Sequence, residues 1–225
     1  MNKAEKKQRM AQIVAKLESL YPSAECALEY GGEPWRLMVM GRLSAQCTDA
    51  RVNQVCRELF ARFPTLDALA DAPLDDIAEI VRPCGLWKTK SENIKAECVM
   101  LRDEFGGELP SEMDDLLRFP GVGRKIANLL RGDIFGAPAV VADTHCIRIC
   151  GRLGMYRESL KDAHKVERTL SELIEPQKQS DFCHRIVWFG REVCTARSPK
   201  CADCPIAQLC QRAIKSAEKS KLKVK

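Results

Sequence analysis

Nine residues from Phe119 to Ala127, FPGVGRKIA, constrain the fold of this chain more than any other stretch. Ahead of them, Ser111 predicts the start of a short helix, and Asp114, three positions later, can complete a capping box. Pro120 predicts the end of that helix, because a proline ring cannot continue the hydrogen-bond ladder. After the two glycines, an apolar pattern begins a second helix. The stretch therefore predicts a helical hairpin at about residues 111–134.

The turn of this hairpin has the chemistry of an anion site. Its two glycines can adopt backbone angles that are closed to other residues and allow close approach of another backbone. The free amides at the start of the second helix attract anions. Since Arg124 and Lys125 follow at once, we expect Gly121, Val122, Gly123 and Arg124 to contact a nucleic-acid phosphate. The alternative is a tight corner between two packed helices.

Apolar residues recur at helical spacing along the rest of the chain. The only strand-like pattern is the brief run Ala139–Val141. There is no fixed-period repeat and no low-complexity linker. We therefore predict an all-α protein, with helices at about 11–20, 34–43, 49–63, 65–70, 73–81, 94–105, 147–153, 166–174 and 182–189.

The length and the cysteine content limit the class of protein. The 225 residues suffice for one large or two small domains. No run approaches the ~18–20 apolar residues that cross a membrane, and the charged start predicts a cytoplasmic protein. In that reducing compartment the 12 cysteines do not predict disulfides. Eight of them are predicted to be small buried hydrophobes: Cys26, Cys47, Cys56, Cys84, Cys98, Cys146, Cys150 and Cys183.

The last four cysteines form a different pattern. Cys194, Cys201, Cys204 and Cys210 have the spacing C-x6-C-x2-C-x5-C. Four thiolates within seventeen residues can surround one metal centre, and both zinc and iron–sulfur clusters accept four cysteines. Structural zinc usually takes two short pairs, and only one pair here is short, which favours a cluster without excluding zinc.

Positive charge is concentrated at the C-terminal end. The chain carries a net charge of +5, and Arg185–Lys225 alone holds ten Lys or Arg against three Asp or Glu, a local net charge of +7. A polyanion would interact with this part first. Arg197 and Lys200 lie between the first two cysteines, where a metal centre would stiffen the loop for phosphate contact. The last six residues, 220–225, are predicted to be only a solvated tail.

Taken together, these motifs resemble the endonuclease III family of DNA glycosylases. The resemblance runs from about Ile13 to Cys210, and it rests on motifs that occur here in the family's order: LSAQCTD at 43–49, GLW at 85–87, PGVGRK at 120–125, DTH at 143–145 and the four cysteines. It implies that the cysteines hold a four-iron, four-sulfur cluster. It also implies a six-helix domain at 26–138 beside a cluster domain made of 1–25 and 139–225, with DNA across the cleft.

The resemblance assigns roles to single residues. Lys125 would be the nucleophile that attacks the sugar and forms an imine, and the alternative is one more phosphate contact. Asp143 would stabilise the charge that develops on the sugar, and the alternative is a plain helix N-cap. Gln46 and Leu86 would fill the space left by a flipped nucleotide, although Leu86 could also be a core leucine. Thr144 and His145 would support Asp143.

The implied function is a base-excision-repair glycosylase that also cleaves abasic sites. Its partner would be double-stranded DNA containing damaged pyrimidines or abasic sites, without a membrane, and we expect a monomer. One alternative is a monofunctional mismatch glycosylase of the same superfamily, whose adenine-removing members lack a lysine at position 125. The other alternative is a non-catalytic iron–sulfur protein that binds DNA or senses redox state. In a bacterium the protein would be associated with the nucleoid.

Overall fold

The protein is built from α-helices. A computed structural model describes residues 1–23 and 25–222, and within these residues it contains twelve α-helices, three short 3-10 segments and no β-strand. In this part of the chain, Ala139–Val141 forms neither helix nor strand. The all-α prediction is confirmed. Over the same residues, no helix is both long and apolar enough to cross a membrane.

The chain forms two compact units. One runs from Cys26 to Phe135, and the other combines Met1–Glu25 with Gly136–Lys225. The interpretation of 26–138 as one domain, and of the remainder as a cluster domain, stays a prediction.

The first unit is organised around one long helix, α6, which packs on α2, α4 and α5, while α8 packs on α2 and α7. Its core is apolar, with Leu37, Leu59 and Ile94 fully buried. The helices are α2 (Pro34–Leu43), α3 (Asp49–Arg62), α4 (Leu66–Asp71), α5 (Leu74–Val81), α6 (Trp87–Phe105), α7 (Met113–Leu116) and α8 (Arg124–Asp133).

The second unit pairs α11 with α9 and α1, and α12 packs on α9. Its core includes the fully buried side chains of Ile13, Leu17 and Ile186. The helices are α1 (Lys3–Leu20), α9 (Thr144–Leu153), α10 (Ala163–Ser171), α11 (Gln179–Glu192) and α12 (Gln211–Leu222). The predicted solvated tail is therefore helical through Leu222, and its residues 223–225 lie outside the described residues.

Several helices begin before their predicted starts: α1 and α6 by eight and seven residues, and α9, α10 and α11 by three residues each. Helix α1 begins eight residues early, because Asn2 and Glu5 form a capping box that the apolar pattern does not reveal. The predicted capping box at Ser111 and Asp114 is wrong. Helix α7 has Glu112 as its N-cap residue, without a side-chain cap hydrogen bond, and it ends at Leu116, before Pro120. The Ser111 hydroxyl instead donates to Glu112 Oε1 at 3.3 Å.

Six of the eight scattered cysteines are buried, as predicted. Cys26 and Cys47 are only partly buried, because they lie in loops at the edge of the first unit's core. For these two thiols the prediction of full burial is wrong.

Candidate nucleic-acid interface and metal centre

The predicted hairpin is present and its turn is open for an anion. Gly123 is the N-cap of α8, with φ −98° and ψ 176°, and no side chain caps the helix. As a glycine, the N-cap residue offers the first-turn amides no side-chain acceptor of its own, and the helix dipole makes this end positive. Arg124 and Lys125 are the first two residues of α8 and both are exposed. A phosphate can reach the amides and the two cations from solvent.

Close packing explains the first glycine of the turn. Gly121 has φ +82°, and a Cβ atom there would lie 2.6 Å from Arg42 Nε and 2.6 Å from the side-chain amide of Asn93. Asn93, with its amide oxygen turned toward Arg42, accepts from Arg42 Nε at 3.0 Å and from Nη2 at 2.9 Å. The turn thus rests on a polar pair from α2 and α6, which the sequence motifs do not reveal.

Val122 has a buried side chain, at 6 % exposure, and its amide donates to Phe119 O at 3.0 Å. The side chain is therefore not available to a phosphate and the amide already has an acceptor, so the phosphate contact of Val122 stays a prediction. The side chain itself packs in the core beneath the turn.

The two candidate void-filling residues share an unusual backbone. In the part of the chain that the structure describes, Gln46 (φ +54°) and Leu86 (φ +49°) are the two non-glycine residues with positive φ. This conformation is costly for side chains with a Cβ and often occurs at functional positions. Both side chains are exposed, and Leu86 is 57 % exposed, which is uncommon for a large apolar residue. Exposure and strain favour the wedge over the core alternative for Leu86.

In the second unit, Asp143 is the N-cap of α9. Its Oδ1 accepts from the Cys146 amide at 2.6 Å. Asp143 therefore caps the helix, but the cap uses only one of its two carboxylate oxygens. The second oxygen is not needed for capping and can serve another role. The segment before Asp143 is held by a hydrogen bond that the Val141 amide donates to Cys183 Sγ at 3.2 Å.

The neighbours of Asp143 differ in exposure. Thr144 is exposed, whereas His145 is partly buried and its Nδ1 accepts from Arg148 Nη2 at 3.2 Å. Gly190 of α11 lies so close that a Cβ there would be 2.4 Å from His145 Nδ1. His145 is thus packed between α9 and α11, which suits a supporting residue.

The four predicted ligands line one cavity. Cys194, Cys201, Cys204 and Cys210 line one small pocket that is partly open to solvent, with apolar walls that include Ile149, Leu153, Phe189 and Ile206. Four thiols around one such space fit a cysteine-ligated cluster. Arg197 and Lys200, on the loop between the first two thiols, are exposed.

Two arginines of α9 hold this loop, and the motif analysis missed both. The buried Arg152 donates from Nη1 to Cys194 Sγ at 3.3 Å and to Thr195 O at 2.7 Å, and from Nη2 to Ala196 O at 2.8 Å. Arg148 Nη2 donates to Cys194 O at 3.0 Å. These contacts tie the first ligand cysteine and the main chain that follows it to α9. Helix α9 therefore connects Asp143 at its N-terminus with the cysteine loop beside its C-terminal half.

Comparison with known proteins identifies the family. Residues 39–176 match the HhH-GPD superfamily of base excision DNA repair proteins, and residues 194–210 match the iron–sulfur binding domain of endonuclease III. The chain is 42% identical over 211 residues to endonuclease III of Synechocystis sp., covering 93% of this chain and 95% of that protein. This chain belongs to the endonuclease III family. Endonuclease III of Bacillus subtilis is 39% identical, over 92% of this chain and 94% of that protein.

Solved structures agree with this endonuclease III assignment. A non-covalent endonuclease III–DNA complex and a trapped endonuclease III–DNA covalent intermediate each superpose with a TM-score of 0.87 at 38% identity, over 94% of this chain and 98% of theirs. A thermostable thymine-DNA glycosylase, at 23% identity and a TM-score of 0.82, shares the fold. The predicted family, the helix-hairpin-helix glycosylase fold and the four-iron, four-sulfur cofactor are confirmed.

The candidate residues are divided between the two units. Lys125, Gln46 and Leu86 lie in the first unit, and Asp143 and the cysteine loop lie in the second. Their participation in one site is part of the function proposed below.

Proposed function

We propose that this member of the endonuclease III family is a bifunctional DNA glycosylase and abasic-site lyase that acts on oxidised or otherwise damaged pyrimidines in duplex DNA. The observation that carries the proposal is Lys125, an exposed amine in the first turn of α8, two residues after the glycine N-cap of the hairpin turn. A phosphate bound at the turn places a DNA backbone next to a nucleophile.

Lys125 acts by covalent catalysis. Its Nζ attacks C1′ of the damaged nucleotide, and the bond from C1′ to the base breaks, so that the base leaves with the electron pair and takes up a proton. Ring opening gives an imine. Loss of a proton from C2′ then breaks the bond to the 3′ oxygen, which is β-elimination. The attacking amine must be neutral, and because Lys125 is exposed in the free protein, bound DNA has to remove water from it.

Asp143 balances the charge on the sugar. While Oδ1 remains bound to the Cys146 amide, the carboxylate is held at the N-terminus of α9. It stabilises the positive charge that develops at C1′ and assists proton transfer to the leaving base. We expect Asp143→Asn to keep the cap and to slow base release.

Gln46 and Leu86 occupy the duplex after extrusion of the target nucleotide. Gln46 offers a donor and an acceptor to the unpaired base, and Leu86 inserts an apolar side chain. Extrusion costs a few kcal/mol of stacking and pairing, which such contacts offset. Their exposure in the free protein suits residues that become buried only in DNA.

The cysteine loop provides a second phosphate contact. We propose that Cys194, Cys201, Cys204 and Cys210 hold the cluster and that Arg197 and Lys200 contact the backbone. When bound, the cluster supplies four metal–thiolate bonds that stiffen the loop. Arg152 and Arg148 hold the same loop from α9 through the bonds described above.

The proposal also includes the substrates, the oligomeric state and the location of the protein. We assign duplex DNA with damaged pyrimidines or abasic sites as substrate, a monomer as the active form, and a cytoplasmic, nucleoid-associated location in a bacterium. A monofunctional mismatch glycosylase would not need Lys125, and a non-catalytic redox sensor would need neither Lys125 nor Asp143.

Borohydride trapping tests the nucleophile. A duplex with one abasic site is incubated with wild type, Lys125→Gln and a matched control, Lys88→Gln. Lys88 is the second residue of α6, as Lys125 is the second residue of α8, and both are exposed. We expect a covalent adduct with wild type and Lys88→Gln but none with Lys125→Gln, which should still bind DNA. Full strand cleavage by Lys125→Gln would refute the assignment.

A further inference from the structure

One lysine of the first unit is completely buried. Lys90, in the first turn and a half of α6, has 0 % exposure. Its Nζ donates to three main-chain carbonyl oxygens: Leu43 O at 2.9 Å, Ala45 O at 2.7 Å and Cys84 O at 2.8 Å. An ammonium has three N–H donors, so each donor has an acceptor. The motifs assign no role to Lys90.

These three carbonyls belong to the two segments that carry Gln46 and Leu86. Leu43 ends α2, and Ala45 directly precedes Gln46. Cys84 ends the 3-10 segment Arg82–Cys84, two residues before Leu86. Lys90 also holds Leu86 through the main chain, because its amide donates to Leu86 O at 3.0 Å.

Because Lys90 is buried, its ammonium group needs all three of these acceptors. The carbonyls at helix ends lack partners within their own helix, and a positive charge there is favourable. A buried ammonium is costly unless every donor is satisfied. Burial accordingly lowers the pKa of the Lys90 ammonium from its usual value. The charge is stable only when both segments converge on Nζ, so Lys90 couples the backbone before Gln46 to the backbone before Leu86.

Strain at both positions supports a role beyond general stability. Gln46 and Leu86 follow the tethered carbonyls within one and two residues, and both have the costly left-handed backbone. A strained exposed residue keeps its conformation only where its surroundings over-determine it. The Lys90 contacts provide such a constraint on each side.

We propose that Lys90 is a positioning residue for nucleotide extrusion, which sets the spacing and direction of Gln46 and Leu86 so that both enter the duplex together. The proposal rests on the proposed function. It identifies Lys90 as a lysine that never contacts DNA and yet determines how efficiently a stacked base is extruded.

The same helix offers a matched control. Lys95 Nζ donates to Ala70 O at 3.0 Å and to Ala72 O at 2.6 Å, at the end of α4, away from Gln46 and Leu86. Lys95 is partly buried and has two acceptors instead of three, but like Lys90 it ties main-chain carbonyls to α6; of the two, only Lys90 tethers the segments of Gln46 and Leu86.

The test compares Lys90→Met with Lys95→Met in the cluster-loaded protein. Single-turnover base release is measured on a duplex with a paired damaged pyrimidine, and strand cleavage on a single-stranded abasic oligonucleotide, which requires no extrusion. For Lys90→Met we expect a loss on the order of tenfold in the first rate, equal to about 1.4 kcal/mol of barrier, and a change below about twofold in the second. For Lys95→Met we expect the ratio of the two rates to stay at the wild-type value.

Other outcomes overturn the proposal. If Lys90→Met lost the same factor in base release and in single-strand cleavage, Lys90 would have only a general structural role. The same conclusion would follow if Lys95→Met changed the ratio of the two rates as much as Lys90→Met does. If Lys90→Met does not fold, Lys90→Gln, which retains two donors, is measured in the same way; failure of both to fold would assign Lys90 to the fold as a whole and reject the positioning role. An inactive wild type would instead refute the proposed function, which is a distinguishable result.

Discussion

Leu86 provides a sharp test, because its wedge role and a core role predict opposite orders of stability. Leu86 is the N-cap of α6 but has the left-handed backbone, φ +49° and ψ 31°, where N-caps are usually extended. Its side chain is 57 % exposed. The perturbations are Leu86→Ala, which removes the wedge, and Leu86→Gly, which also relieves the backbone.

The magnitudes follow from exposure and strain. Full burial of a leucine contributes about 1.5–3 kcal/mol, so the partly buried Leu86 contributes roughly 0.6–1.3 kcal/mol. The left-handed backbone costs a residue with a Cβ about 1–2 kcal/mol, while glycine loses about 0.4–1 kcal/mol through the entropy of the unfolded chain. Leu86→Ala should therefore lower the free energy of unfolding by up to about 1 kcal/mol. The free energy of unfolding of Leu86→Gly should equal that of Leu86→Ala or exceed it by roughly 1 kcal/mol.

The assay is denaturant unfolding of both variants, followed by base release on a duplex with a paired damaged pyrimidine. We expect the glycine variant to be at least as stable as the alanine variant, with base release reduced in both. A core leucine would behave differently: Leu86→Ala would cost about 2–5 kcal/mol, and Leu86→Gly would cost more. Either result, or wild-type base release by both variants, would refute the wedge assignment.

Four further predictions follow from buried or charged groups. Gly190→Ala adds a Cβ atom 2.4 Å from His145 Nδ1. The resulting overpacking costs about 1–3 kcal/mol, which outweighs the gain of up to ~1 kcal/mol from the higher helix propensity of alanine. We therefore expect thermal unfolding to show a melting temperature that is lower by several degrees. Arg152→Met removes the contacts to Cys194 Sγ, Thr195 O and Ala196 O. We therefore expect a chelator to remove iron from Arg152→Met faster than from the control Arg197→Met, a change in the exposed loop, as measured by visible absorbance and iron content. Equal rates in the two variants would contradict the role of Arg152. Burial raises the pKa of Glu97 well above its usual value, with Arg42 opposing. The resulting penalty is absent below the pKa of the unfolded state and grows above it, so Glu97→Gln should become increasingly stabilising as the pH rises above about 4.5, by at most ~1.4 kcal/mol per pH unit. A pH-independent difference in denaturant unfolding would disprove this. The affinity for duplex DNA should fall with salt by about 0.9 log unit per log salt for each phosphate contact, a slope that titration at several salt concentrations measures and that a flat response would exclude.

The sequence alone determined the parts of this protein whose chemistry lies within a short stretch. The hairpin follows from FPGVGRKIA because proline, two glycines and two cations act on neighbouring residues. The cysteine spacing likewise places four ligands within seventeen residues, which limits the metal centre to a few types. Apolar periodicity was enough for an all-α fold, although it missed the Asn2 cap of α1 and misplaced the start of α7.

The tertiary structure decided what depends on convergence of distant segments. Lys90 meets carbonyls up to 47 positions away, and Arg152 meets a cysteine 42 positions away. The left-handed backbone at Gln46 and Leu86 is not a property of glutamine or leucine. Local propensity cannot reveal such features, because a buried polar group is stable only where the whole fold supplies its partners. The sequence thus predicted the residues that we propose to contact DNA, and only the folded chain showed the residues that hold them in place.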